Sequence, residues 1–169
     1  MIKINLYIFV SSCLLSYSTF ANTLLKLDQE MIMSINDHLS ETTSNCNFSQ
    51  STKYYYGETK FFNYSVVDNK EVVQEQSYSE AMSEFKVAMD SCYVSLAKEK
   101  PISEKIEISE SGQEAIFNSE ALHYLKSTDG RFFESHNKGK TIFKIVDGKV
   151  KIVETHYKGL SIKEIEKVP

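Results

Sequence analysis

Two side chains near the end of the chain have types and spacing suited to acid–base chemistry. Glu154 and His156 lie two residues apart in a β-rich run. Period-two spacing predicts that they share one strand face with Val150 and Ile152. A carboxylate beside an imidazole tunes a proton carrier near neutral pH, so His156 and Glu154 are candidate catalytic residues if that face lines a pocket. In bulk water the same pair is an ordinary rim pair. His123 and Tyr124 are adjacent on another predicted strand and must point to opposite faces, which makes Tyr124 a third candidate. His136, near Asn137 and Gly139, is expected at the surface. His38 follows Asp37 near the predicted end of a helix, where a cation suits the helix dipole. The four histidines show no His-x-x-x-His spacing, so no metal site is expected. No cofactor motif is present, and no cofactor is expected. Asp68 sits in a predicted hairpin turn and is assigned to turn formation.

Aromatic residues are abundant, with 10 Tyr and 10 Phe but no Trp. Tyr56, Phe62, Tyr64, Phe85, Phe117 and Phe143 are candidate pocket residues for a flat apolar ligand. The competing reading packs the same rings into the core. Asn47-Phe48-Ser49 and Asn63-Tyr64-Ser65 have the glycosylation acceptor pattern, which matters in a eukaryotic secretory route.

The N-terminus points to export. Lys3 precedes a short apolar run from Ile4 to Leu15, and Thr19 and Ala21 set a small-x-small site. This predicts a signal peptide over residues 1–21, cut after Ala21. The apolar run is too short to span a bilayer, so no transmembrane segment is expected after processing. An alternative is a lipoprotein anchored at Cys13. Periplasmic or secreted localisation follows from cleavage after Ala21, with the anchored lipoprotein as the minor alternative. Cys46 and Cys92 then remain, and an oxidising compartment favours a bridge closing a loop of about 45 residues. Two separate thiols are the alternative. The formal net charge of −4 carries no footprint for nucleic acid or an anionic membrane.

Residues 22–160 read as one domain, followed by a charged tail over 161–169. Leu24, Leu27, Met31, Ile32, Ile35 and Leu39 form the apolar stripe of a first helix, Leu24 to Leu39. Ser40 to Gly57 reads as a loop with room for one short helix. Lys60–Val67 and Glu71–Gln76 form a hairpin. Ser77-Tyr78-Ser79-Glu80 is a capping box opening a second helix, predicted to run through Tyr93 and Leu96 until Pro101. Four strands follow, the last two joined at Asp147-Gly148.

This order, and the run Lys140-Thr141-Ile142-Phe143-Lys144-Ile145-Val146-Asp147-Gly148-Lys149-Val150-Lys151-Ile152-Val153, resembles the nuclear transport factor 2-like superfamily. That group includes ketosteroid isomerase and polyketide-cyclase-like proteins. Members often carry Trp where this chain has Val150. The resemblance covers roughly residues 24 to 158. It implies a cystatin-like, cone-shaped α+β fold. A strongly bent antiparallel sheet of about six strands would pack on two amphipathic helices around a pocket. It also implies a homodimer through the outer sheet face.

The functional expectation is an exported module binding a small apolar ligand or an envelope protein. The alternative is an acid–base enzyme of isomerase, dehydratase or cyclase type acting on a hydrophobic small molecule. A second alternative is a subunit of an envelope complex.

Overall fold

The computed structural model describes residues 25–169 except Asn69 and Tyr93. The predicted signal peptide and Cys13 lie outside the described residues. Among the described residues nine elements follow in order: α1 (Gln29–Ser44), α2 (Phe48–Ser51), β1 (Tyr55–Val67), β2 (Lys70–Gln76), α3 (Tyr78–Ser91), β3 (Val94–Ile108), β4 (Glu114–Ser127), β5 (Phe132–Val146) and β6 (Lys149–Ile165). The strands form one six-stranded sheet in the order β2-β1-β6-β5-β4-β3. Helices pack on it to give an α+β, cone-like fold. β1 runs parallel to β6 while the other neighbours are antiparallel, so the sheet is mixed and not antiparallel throughout.

Local chemistry explains most boundaries. The Asp28 carboxylate accepts the Met31 amide at 2.8 Å and starts α1. This places the helix start at Gln29 and not at Leu24. The helix also outruns Leu39, so His38 lies inside it and not at its end. The expected loop over residues 40–57 contains the end of α1, α2 and the first residues of β1. The capping box of α3 is complete: the Glu80 amide donates to the Ser77 side chain, and the Ser77 amide donates to Glu80 at 2.9 Å. The turns at Asp68 and Asp147-Gly148 take positive φ (50°, 50° and 70°), as tight hairpins between right-twisted strands require.

Two boundaries depart from expectation. α3 stops at Ser91 because Cys92 turns left-handed (φ 41°) and its amide bonds back to Ala88 and Met89. The chain from Val94 pairs with Ser127, Lys126 and Leu125 of β4. Leu96 and Pro101 therefore belong to a strand. Pro101 is tolerated because β3 is an edge strand, where a missing donor can face solvent. Beyond Leu160, the expected tail continues β6 and pairs with β5 as far as Phe132–Ile165.

The core lies between α1 and the centre of the sheet, around Leu27, Ile32, Ile35, Ala115, Phe117, Phe143 and Ile152. Phe117 and Phe143 are core residues, filling the space under α1. A disulfide joins Cys46, after α1, to Cys92, after α3.

Candidate acid-base site and ligand cavity

Strand register decides which side chains can meet. The pairs Phe143–Ile152 and Ile142–Glu154 leave Val153 as an extra residue in β6. Such a bulge reverses the face presented by the residues that follow, here as far as the second register shift at Leu160. Val150 and Ile152 therefore join the core under α1, whereas Glu154 and His156 point to the outer face. The predicted shared face of these four residues is thus corrected. On the outer face, Glu154 Oε1 lies 2.6 Å from His156 Nε2, and the Tyr64 hydroxyl lies 2.8 Å from His156 Nδ1. Phe62 stacks on the imidazole at 4.7 Å between centroids. A carboxylate can only accept, so in the neutral ring Nε2 donates and Nδ1 accepts from Tyr64. Tyr124 is buried on the same outer side, beside Glu134 of β5. Desolvation, then the Glu134 charge, pushes its phenol up. His136, expected at the surface, is half-buried and meets Glu120 at 2.8 Å.

The helix-covered face holds a cavity of about 510 Å³ between α3 and strands β1, β5 and β6. α3 contributes Ala81, Met82, Phe85 and Ala88, and β1 contributes Tyr55 and Phe61. Of the predicted pocket residues, Phe85 lines this cavity. Phe62 and Tyr64 face outward, and Tyr56 donates its amide to Thr59 beside the start of β1. One wall is polar and internally satisfied: Asn63 Nδ2 donates to Gln76 Oε1 at 2.8 Å, and Gln76 Nε2 donates to Glu84 at 3.0 Å. Burial pushes the Tyr55 phenol up to about 12, so it stays protonated.

Tyr157 lines the opposite wall and begins a hydrogen-bonded run. Its hydroxyl donates to Asn137 Oδ1 at 2.7 Å, and Asn137 Nδ2 lies 2.9 Å from His123 Nδ1. His123 Nε2 faces Glu99 Oε1 at 3.5 Å, and the Ser40 hydroxyl of α1 donates to Glu99 Oε2 at 3.0 Å. The amide nitrogen must donate, so His123 Nδ1 accepts and its proton sits on Nε2, toward the carboxylate. Bonding from His123, aided by Ser40, holds the Glu99 carboxyl below the usual range. Desolvation pushes the Tyr157 phenol up. The arrangement can hold a proton on the phenol and an oriented imidazole behind it.

Glu99, Asn137 and Tyr157 were not among the predicted site residues. Glu99 was placed on a helix, and the other two join His123 only through pairing of four strands. His38 Nε2 is buried without a hydrogen-bond partner among the described residues, its ring edge-on to Tyr54. Among the described residues, no group of three or more His, Cys, Asp or Glu is placed to hold a metal ion.

No protein-family model matches the chain, and no curated protein is similar to it in sequence. Solved structures are similar in fold. One is a putative scytalone dehydratase from Novosphingobium aromaticivorans, at 13% identity and TM-score 0.60, covering 82% of this chain and 89% of that one. The chain has a nuclear transport factor 2-like fold. An NTF2-like protein from Cytophaga hutchinsonii shares it at 12% identity and TM-score 0.55, covering 79% of this chain and 100% of that one. So does the hexachlorocyclohexane dehydrochlorinase LinA-type3 from Novosphingobium barchaimii, at 6% identity and TM-score 0.59, covering 81% and 89% respectively. At these identities the likeness speaks for the nuclear transport factor 2-like fold alone.

Proposed function

We propose that this nuclear transport factor 2-like chain binds a flat, largely apolar small molecule in the cavity beneath α3. The carrying observation is a space of about 510 Å³ walled by Tyr55, Phe61, Met82 and Phe85, with Tyr157 as a polar anchor. Aromatic walls with one or two placed hydroxyls are the usual composition of a small-ligand site. Nile red, an uncharged apolar dye, tests this. It should bind with enhanced emission, and Ala81→Trp, which fills the cavity from α3, should weaken binding at least tenfold. Equal binding by both proteins would remove the reading.

A second reading is favoured by the run Tyr157–Asn137–His123–Glu99: an acid–base enzyme that removes and returns protons on the bound molecule. Named neighbours include a putative scytalone dehydratase and a hexachlorocyclohexane dehydrochlorinase. Tyr157, which lines the cavity, is the group that exchanges protons with the bound molecule in this reading, with Asn137, His123 and Glu99 as its positioning partners. His123→Asn should lower turnover of a cyclic substrate bearing a β-leaving group at least tenfold, while leaving Nile red affinity unchanged. Unchanged turnover in His123→Asn would end it.

The chain is further read as exported. The Cys46–Cys92 bridge supports this, since such bonds persist in oxidising compartments. N-terminal sequencing of the processed chain should begin at Asn22; an uncut Met1 would overturn the assignment.

A further inference from the structure

The outer sheet face carries a second concavity, a groove of about 430 Å³ whose lining shares Gly139, His156 and Tyr157 with the cavity under α3. Its lining is hydrophilic, with Tyr64, Asn118, Lys138, Lys140, His156 and Lys158 among its residues. The cations here are nearly all matched. Lys138 pairs with Glu120 at 3.0 Å, Lys158 pairs with Glu71, and His156 pairs with Glu154 at 2.6 Å. Lys140 is the exception: it is half-buried and has no ion-pair partner among the described residues. Its cross-strand neighbours are Asn118 on β4 and His156 on β6, so it stands at the middle of the groove between an amide and an imidazole. A half-buried lysine without a counter-ion leaves an interaction unmade, and an anion bound there would complete it.

We propose that this groove binds a small hydroxylated organic anion, a sugar acid or a sugar phosphate, with the anionic group on Lys140. The ion pairs Lys138–Glu120 and Lys158–Glu71 flank that point and offer both donors and acceptors to hydroxyl groups, which a bare inorganic anion would not use. A space of about 430 Å³ is large enough for a single ring of that kind.

The test is an amide-resonance titration of the processed full chain at constant ionic strength. Glucuronate and glucose 6-phosphate are the probes, with glucose and inorganic phosphate as comparators. Saturable shifts at residues 118, 140 and 156 with one or both organic anions, and weaker shifts with glucose and phosphate, are the expected result. Which anion saturates first separates the carboxylate from the phosphate class. Lys140→Gln should weaken binding at least tenfold and Lys140→Arg should retain it, while Lys86→Gln on α3 should change nothing. Retained Nile red binding by each variant shows that it is folded. Equal binding of inorganic phosphate, no effect of Lys140→Gln, or burial of this face in a dimer of the free protein would each overturn the proposal.

Discussion

The Cys46→Ser, Cys92→Ser double variant should lose about 4 kcal/mol of stability, the chain-entropy value for a loop of this length. The bridge spans a sequence separation of 46 residues. It ties the corner after α1 to the residue that caps the end of α3. Both cysteines have positive φ, 52° and 41°, a region that costs an L-residue roughly 1–2 kcal/mol. Serine keeps that backbone cost and loses the cross-link. The consequence reaches the cavity, because Met89 is the one buried residue of α3 among the described ones. A helix so lightly packed depends on its ends: the Ser77–Glu80 box at one and the bridge at the other. Denaturant unfolding, with and without reductant, measures the loss, and Nile red affinity should fall with it. An unchanged midpoint in reductant would contradict this account.

Phe143→Ala should cost about 3–5 kcal/mol, the range for removing a ring from a closed core. Phe143 is 1% exposed and packs among Ile32, Ile35, Ala115, Phe117 and Ile152. The melting temperature should drop by roughly 10 °C for a chain of this size. Val87→Ala on the open side of α3, where Val87 is 69% exposed, should stay within about 0.5 kcal/mol. The contrast separates burial from side-chain size. A Phe143→Ala midpoint close to that of Val87→Ala would mean that the core does not lie under α1.

The carboxylate run through Glu99 explains why neither site could be listed from residue types alone. His123 was visible as one member of an alternating strand. Its partners come from β3, β5 and β6, at positions 99, 137 and 157. Glu154 and His156 were correctly paired with each other, since two residues on one strand share a face. They were placed on the wrong side because one added residue at Val153 reverses that face.

What the amino-acid sequence determined by itself is local. The Ser77–Glu80 capping box, the apolar stripe of α1, the Asp68 and Asp147-Gly148 turns and the strand-rich second half all depend on residues within about four positions of one another. Helix nucleation and tight-turn geometry are decided at that range. Tertiary structure decided the rest. It ended α3 at Ser91, turned Pro101 into an edge-strand residue, joined β1 to β6 in parallel and moved Glu154 and His156 outward. Each of these depends on cross-strand pairing over tens of residues. Whether a strand is shifted by one position there turns on the summed fit of the whole sheet, not on any short segment.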